Sequence, residues 1–350
     1  MRTRMYSAGD SAASAWPVAW YIVTMRNAVL LLLLGTMLAT VEMTGAAQAP
    51  PMETIANDQV RASIYLPDAT SGYYRGTRFD WSGVVSSLVW NGHEYFGQWF
   101  ERYDPTLHDA ITGPVEEFLT GESALGYAEA SPGGTFIRIG VGVLRKPDEP
   151  SFRRFATYDV VNPGTWTITT GSDWITFVHT LDDGAGYAYA YRKTLRLVGA
   201  SLILEHELSN TGRKAIATSV YNHNFFTLDG RITGPDVRIR FPFAPRADRP
   251  LKDLAEIQGR DLVFRRPLQP KENVFTELDG FGSAASDYGF EMENRATGAG
   301  VRATGDRPLS RLVFWAAHRT ACPEPYIDAS VAPGRTASWN VTYSFYQAAP

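Results

Sequence analysis

Apolar and polar residues alternate with a period close to two from about residue 60 onward. Residues 136–141, 174–179 and 193–198 show this alternation most clearly. The period is typical of β-strands with one buried face, and these segments are also rich in β-branched and aromatic side chains. The same pattern predicts further strands at residues 202–208, 216–221, 237–241, 290–294, 311–315 and 337–346.

Short turn sequences separate the predicted strands. Asp229-Gly230 and Pro333-Gly334 are examples, and such pairs supply the positive or preset φ angles that tight turns need. No long segment shows the 3.6-residue period of an amphipathic helix, and residues 251–258 form the best short helix candidate. The chain is therefore predicted to be all-β, with many short strands arranged as a sandwich or a barrel.

The strand pattern continues without a linker or a clear internal repeat, which favours one domain over residues 50–350. One charge-rich stretch with few strand signals, residues 246–271, is interpreted as an insertion rather than a domain boundary. All-β domains of this length are well known.

The first 49 residues are predicted to be a signal peptide region rather than part of the fold. Arg26 precedes an apolar run over residues 28–39, and a small-x-small cleavage pattern follows that run and ends at Ala49. We expect cleavage near Ala49; Met25 is a second candidate start, in which case residues 1–24 are not translated. The expected location is exported, either periplasmic or secreted, without stable membrane insertion after cleavage. A retained N-terminal anchor is the alternative.

Composition narrows the possible function. Lys and Arg number 33 against 37 Asp and Glu, so the formal charge is −4. This argues against a nucleic-acid-binding protein, because phosphate neutralisation requires a cationic surface. The 9 Trp, 17 Tyr and 18 Phe residues suit a strand-rich core and a site for neutral polar ligands such as sugars. The single cysteine, Cys322, excludes both an intrachain disulfide and a multi-cysteine zinc site.

Several catalytic signatures are absent from the sequence. There is no Gly-x-Ser-x-Gly nucleophile elbow, no phosphate-binding P-loop and no dinucleotide-binding glycine motif after a strand. His206-Glu207 lacks the second histidine of a zinc-protease helix and lies in a strand pattern, so His206 is interpreted as an ordinary sheet residue. No metal site is predicted.

A histidine and a glutamate are the strongest candidates for proton transfer. His223 lies between Asn222 and Asn224 at the end of a predicted strand, and histidine titrates near neutral pH. Glu324 lies between two prolines, which have no N–H groups that would bond the carboxylate and lower its pKa. The alternatives are a structural histidine at a strand end and an incidental acid in a surface turn.

Two further patches carry polar side chains suited to a sugar cleft. The first contains His108, Glu116 and Glu117, with several tryptophans upstream. Aromatic rings can stack on the C–H faces of a sugar while acids accept hydroxyl protons. The alternative is a solvated loop with the aromatic residues in the core. The second patch contains Asp287, an acid at the start of a predicted strand.

These patches resemble the motifs of the aldose 1-epimerases, also called galactose mutarotases. Residues 222–230, Asn-His-Asn-Phe-Phe-Thr-Leu-Asp-Gly, resemble the family's Asn-His-x-Tyr-Phe-Asn-Leu-x-Gly motif. Residues 287–290 are similar to its Asp-x-x-Phe strand, and residues 322–325 to its C-terminal Cys-x-Glu segment. The order and spacing fit over residues 60–346. The family's His-Gly-Gly segment is missing, and residues 113–118 stand in its place.

The resemblance implies a large antiparallel β-sandwich, of the galactose mutarotase-like supersandwich type, with an open sugar-binding cleft. It implies that Glu324 takes the proton of the C1 hydroxyl and that His223 protonates the ring oxygen. The sugar then changes anomer without a metal or other cofactor. By the same resemblance, Asp287 would hold sugar hydroxyls. The other expected sugar contacts are Asn222, His108, Glu116, Glu117 and Tyr326.

The protein is expected to be an isomerase that acts on a small sugar or the end of a glycan. Two alternatives stay open on the sequence. One is a non-catalytic carbohydrate-binding protein on the same scaffold. The other is a glycan hydrolase or lyase, which would pair Glu116 or Glu117 with Glu324 at a separation of about 5–10 Å.

Overall fold

The computed structural model describes residues 2–6 and 49–349, and β-strands account for nearly all of the regular structure. Most of the predicted signal region, residues 7–48, lies outside the described residues, so signal cleavage and export stay predictions. Among the described residues, no helix is long and apolar enough to cross a membrane. The strands are β1 (Arg2–Tyr6), β2 (Met52–Ala56), β3 (Val60–Tyr65), β4 (Val84–Trp90), β5 (His93–Phe96), β6 (Val115–Leu119), β7 (Thr135–Arg138), β8 (Gly142–Arg145), β9 (Val160–Asn162), β10 (Thr165–Thr170), β11 (Trp174–Asp182), β12 (Ala188–Val198), β13 (Ser201–Asn210), β14 (Ile216–His223), β15 (Val237–Arg240), β16 (Arg246–Ala247), β17 (Ala255–Gln258), β18 (Asp261–Phe264), β19 (Asn273–Asp279), β20 (Gly289–Asn294), β21 (Ala299–Gly305), β22 (Arg311–Ala317), β23 (Thr320–Val331) and β24 (Thr336–Gln347), with one 3₁₀ turn at Ala285–Asp287.

The strands form two large antiparallel sheets and two small ones. The larger sheet has eleven strands in the order β1-β10-β11-β12-β13-β24-β21-β20-β15-β18-β17. The second sheet has six strands in the order β16-β19-β22-β23-β14-β6. Strands β2 to β5 form a four-stranded sheet, and β7 to β9 form a three-stranded one. The described residues from Pro50 onward belong to one compact unit, together with β1.

The hydrophobic core lies between the eleven-stranded and the six-stranded sheets. Phe118 of β6 packs edge-on against Tyr191 of β12, with ring centroids 5.3 Å apart, and against Trp339 of β24 at 6.3 Å. All three side chains are buried. Truncating a buried phenylalanine to alanine costs about 3–5 kcal/mol, so contacts of this kind hold the two sheets together. The predicted all-β class and the large antiparallel β-sandwich are confirmed.

The predicted short helix at residues 251–258 is wrong. Its second half is strand β17, which pairs with β18 in a hairpin that sets Gln258 opposite Asp261. Gly259 begins the two-residue turn with a φ of +62°, a conformation that glycine adopts without strain. The tight turn and the burial of Phe264 on the partner strand outweigh the weak helical pattern.

Three neighbouring strands of the six-stranded sheet carry most of the predicted site residues. β14 lies between β6 and β23, with Tyr221 opposite Glu117 on one side and Tyr326 on the other. Side chains alternate between the two faces of a strand. These three residues therefore point away from the eleven-stranded sheet. His223, two positions after Tyr221, and Glu324, two positions before Tyr326, point the same way.

Candidate active site

A cavity of about 370 Å³ lies on the face of the six-stranded sheet that points away from the eleven-stranded sheet. Alternate residues of β19, β22 and β23 and the end of β14 form its floor, and the loops that precede β4, β6 and β9 form its wall. Its volume is typical of a small-molecule site. The lining residues are Arg78, His108, Asp109, Arg154, Phe155, His223, Phe225, Asn273, Phe275, Arg311, Val313, Trp315, Glu324 and Tyr326.

The structure brings His223 and Glu324 together on the floor of this cavity. Nε2 of the histidine lies 3.2 Å from Oε1 of the glutamate. Asn224 links the two strands beside them, because its amide donates to the carbonyl of Pro323 at 2.6 Å and its oxygen accepts from the Tyr343 hydroxyl at 2.6 Å. The separation of the pair is therefore set by neighbouring side chains as well as by the sheet ladder.

Glu324 is a buried carboxyl group that faces the cavity. Burial raises its pKa to about 8, although Arg78 and Arg154 act to lower it. Among the residues that the structure describes, His223 is its one ion-pair partner. The prolines on either side of Glu324 supply no N–H donors. The carboxyl group is therefore mostly protonated at neutral pH.

An aromatic cage holds the His223 ring. The ring stacks on Phe225, with centroids 3.8 Å apart, and meets Phe79 and Trp315 edge-on at 5.6 and 5.5 Å. Its Nδ1 atom is buried and has no hydrogen-bond partner among the described residues, so Nε2 is the ring nitrogen that contacts the Glu324 carboxyl group. Burial, with the charge of Arg78 as a second cause, holds the pKa of His223 well below its usual value.

The chain turns sharply just after His223. Phe225 has a φ of +35°, and Leu228 and Asp229 have φ angles of +28° and +61°. Left-handed backbone costs a residue with a side chain about 1–2 kcal/mol. Strain of this kind concentrates at functional sites, where the surrounding structure holds it in place. Here the strained backbone places the Phe225 ring against the imidazole.

Next to the cavity floor, three arginines converge on one glutamate. Glu117 accepts hydrogen bonds from Arg78 and Arg138 at 2.9 Å each, from Arg154 at 2.8 and 2.9 Å, and from the Tyr221 hydroxyl at 2.5 Å. Burial alone would favour the neutral acid, but the three guanidinium groups hold the pKa of Glu117 well below its usual value. Both of its oxygens are occupied, so Glu117 anchors the arginines rather than contacting a sugar as predicted.

Two other predicted sugar contacts do line the cavity. Tyr326 stacks on Tyr221, with ring centroids 4.2 Å apart. His108 packs against Phe155 at 5.0 Å, and its Nε2 lies 3.6 Å from a carboxylate oxygen of Asp109. The structure therefore places a second histidine in the same cavity as the pair, although the family's N-terminal histidine motif is missing from the chain.

Three predicted sugar contacts lie elsewhere. Glu116 and Asn222 point into the core, where the Asn222 amide donates to Glu116 at 2.7 Å. The physical reason is the two-residue period of a strand, because their chain neighbours already occupy the cavity face. Asp287 lies at the end of the 3₁₀ turn, outside the cavity lining, and accepts a hydrogen bond from the Gly282 N–H at 2.6 Å.

Sequence reasoning missed most of the cavity wall. Arg78, Arg154 and Phe155 come from loops without a recognised motif, and only the folded chain brings them to the sheet. Trp315 carries a usable signal, since it lies in a predicted strand two residues from Val313 and on the same face. No group of three or more His, Cys, Asp or Glu side chains within the described ranges is arranged to hold a metal ion.

No protein-family model matches this sequence, and no curated protein matches it. Solved structures do share its fold. A protein from Synechocystis superposes with a TM-score of 0.53 at 17% identity, covering 86% of this chain and 97% of that one. A putative aldose 1-epimerase from Escherichia coli K12 gives 0.52 at 13% identity, over 85% and 99% of the two chains. An aldose epimerase homologue from C. elegans gives 0.51 at 14% identity, over 86% and 100%.

Identities this low show a common architecture, and the chemistry has to be argued from the site itself. The resemblance carried by residues 222–230 and 322–325 is confirmed at the level of the fold, because these neighbours cover nearly the whole described chain. The protein has the galactose mutarotase-like β-sandwich fold that structures of aldose 1-epimerase homologues share.

Proposed function

We propose that this protein interconverts the two anomers of an aldose, with Glu324 and His223 as its proton-transfer groups. The observation that carries the proposal is their 3.2 Å contact on the floor of the cavity. The C1 hydroxyl and the ring oxygen of a pyranose are bonded to the same carbon. An acid and a base that act on both oxygens must therefore lie side by side, as these two do.

In the proposed reaction, ionised Glu324 accepts the proton of the C1 hydroxyl while protonated His223 donates a proton from Nε2 to the ring oxygen. The bond between C1 and the ring oxygen breaks, its electron pair moves to that oxygen, and the C1 hydroxyl becomes a carbonyl. Rotation about the C1–C2 bond presents the other face of the carbonyl. Return of both protons closes the ring as the other anomer.

The pair needs one shared proton to work. In the free protein at neutral pH, the raised pKa of Glu324 and the lowered pKa of His223 place this proton on the glutamate. The 3.2 Å contact gives the proton a direct path to Nε2. Every turnover passes through both arrangements, since ring opening leaves Glu324 protonated and His223 neutral.

The surrounding side chains suit a sugar. Phe155 and Phe275, which are 55% and 41% exposed, line the cavity together with Trp315. Their ring faces can cover the apolar C–H face of a pyranose. Tyr326 and His108 bring polar atoms for the sugar hydroxyls.

The positions of Glu116 and Glu117 argue against the hydrolase or lyase alternative. Glu116 points into the core, and arginines bind both oxygens of Glu117. Neither residue therefore forms a free pair with Glu324 across a glycosidic bond. A non-catalytic sugar-binding protein is the competing function, and turnover separates it from an enzyme.

Anomer exchange followed by NMR spectroscopy tests the proposal. Freshly dissolved α anomers of glucose, galactose and their acid derivatives are mixed with the protein, and the appearance of the β anomer is timed. We expect a rate proportional to protein concentration that exceeds the rate in buffer. Sugar binding detected by calorimetry without any added exchange rate would leave a binding protein and overturn the proposal.

A further inference from the structure

The arginine cluster beside the cavity carries more positive charge than its carboxylate balances. Arg78, Arg138 and Arg154 all pair with Glu117, and no other carboxylate in the described part of the chain lies within ion-pair distance of them. Asp109 also lines the cavity, but its ion-pair contact is with a histidine, at 3.6 Å. Three buried or half-buried cations thus share one anion. Uncompensated positive charge away from water is unfavourable, so the cluster is suited to bind a further anion.

Two of these arginines also have unused hydrogen-bond donors. In Arg138, Nε, Nη1 and Nη2 each donate to a carbonyl or a carboxylate, so none of its three nitrogens is without a partner. In Arg78 and Arg154, Nε and Nη2 are bound, whereas Nη1 has no partner among the residues described. Both side chains line the cavity. Arg311, on the same lining, has a buried Nε without a partner.

The arginines with unused donors line the same cavity as the proton-transfer pair. Nη2 of Arg154 donates to the Tyr221 hydroxyl at 2.9 Å and to the Tyr326 hydroxyl at 3.4 Å. Tyr326 and Glu324 are two residues apart on one face of β23, which separates their Cα atoms by about 7 Å. A pyranose in this cavity with C1 at Glu324 can direct a substituent on another ring carbon, such as the C6 group, toward Arg154.

We propose that the substrate is an acid sugar, whose carboxylate or phosphate group binds the free Nη1 donors of Arg78 and Arg154. This inference rests on the proposed anomer exchange in the same cavity. Guanidinium groups bind both kinds of anion through short, charge-assisted hydrogen bonds that a neutral hydroxymethyl group does not form. A uronic acid and a sugar phosphate supply this same chemistry, so both enter the test.

Glucose, glucuronate and glucose 6-phosphate form a matched set, because they differ only at C6. We expect kcat/KM for anomer exchange to be about 10- to 100-fold higher for at least one acid sugar than for glucose at low salt. The faster acid sugar identifies the anion. Equal values for all three sugars would overturn the acid-sugar inference and leave anomer exchange standing.

No exchange with any of the three sugars, nor with galactose and its acid derivatives, would instead overturn the proposed function. Calorimetry on the same set then decides the inference separately. The inference stands if the acid sugars bind about tenfold or more tightly than glucose, and it falls if they do not.

Variants at Arg154 locate the anion. Arg154→Met should lower the ratio of acid-sugar to glucose kcat/KM at least about tenfold, and about 0.5 M NaCl should lower the same ratio in the unaltered protein by screening. Arg302→Met is the matched control, since Arg302 pairs with Glu291 away from the cavity and its loss should leave the ratio unchanged.

Arg154→Lys is the second variant for the same measurement if Arg154→Met does not fold. Lysine keeps a positive charge near Glu117, but it lacks the planar guanidinium group that can bind the Glu117 carboxylate and a ligand anion at the same time. The ratio of acid-sugar to glucose kcat/KM should therefore still fall. A ratio that stays at the wild-type value in either folded variant would overturn the assignment of the anion to Arg154.

Discussion

Two histidine–glutamate pairs in this protein have nearly the same geometry and opposite electrostatics. His223 and Glu324 are 3.2 Å apart at the cavity, and His206 and Glu116 are 3.0 Å apart in the core. Burial raises the pKa of Glu324 to about 8. Glu116 is equally buried, but Lys193 and His206 lower its pKa to about 2. The distance between imidazole and carboxylate therefore does not decide what such a pair does.

The difference comes from the surroundings of each carboxylate. Glu116 contacts Lys193 and accepts a hydrogen bond from Asn222 at 2.7 Å, and the same lysine lies 3.6 Å from Asp80. Glu324 has no Lys or Arg within ion-pair distance in the described chain, and it faces the cavity. A histidine–glutamate pair with a cation beside its carboxylate keeps that carboxylate ionised and stabilises the core. A pair beside a cavity without such a cation is suited to move a proton.

The largest expected effect separates the two pairs by activity. Glu324→Gln removes the proton acceptor and should lower kcat/KM for anomer exchange by about 10²- to 10⁴-fold. The fold should persist, because glutamine is neutral like the protonated acid that it replaces. Exchange NMR measures the rate and circular dichroism the fold. Glu207→Gln, in an exposed pair with Arg192, is the control and should keep full activity. A Glu324→Gln variant with near-normal activity would refute this role.

The next effect separates the pairs by stability. Lys193→Met leaves Glu116 and Asp80 buried without their cation, so the free energy of unfolding should fall by about 3–5 kcal/mol. Urea denaturation measures this change. Lys214→Met breaks a surface pair with Glu129 and should cost less than about 1 kcal/mol. Equal losses from the two lysine substitutions would contradict the role of Lys193 as the counter-charge of the core pair.

The smallest effects distinguish the two pairs by pH. Exchange requires one proton on the cavity pair, so kcat/KM should fall about tenfold per pH unit above the Glu324 pKa of about 8. On the acid side it should stay level until His223 also gains a proton, well below its usual pKa of 6.5. A pH series of exchange rates measures both limbs, and a profile that is still rising at pH 9 would rule out this proton count.

The core pair should respond at the opposite end of the pH scale. The folded pKa of Glu116, about 2, lies below its unfolded value of 4.5. Its contribution to stability is therefore complete above pH 4.5 and is lost as the pH falls toward 2. Urea denaturation across this range measures the loss, and Glu116→Gln should flatten the curve.

Local sequence was enough to predict the fold class and to single out the two residues that meet on the cavity floor. The two-residue alternation follows from one buried face per strand, so it marks a β-sandwich without any knowledge of the pairing. His223 and Glu324 were recognisable because each has unusual neighbours, two asparagines in one case and two prolines in the other. These are local properties, and the structure shows where the two residues meet.

Only the tertiary structure decided what the remaining charged residues do. Glu116 and Glu117 are chain neighbours and must point to opposite faces, but nothing local says which face meets the other sheet. His206 looked like an ordinary sheet residue until the packing of two sheets brought it to Glu116. Arg78 and Arg154 meet only because separate loops fold over Glu117. Contacts between sheets and loops join residues far apart in the chain, and no local period encodes them.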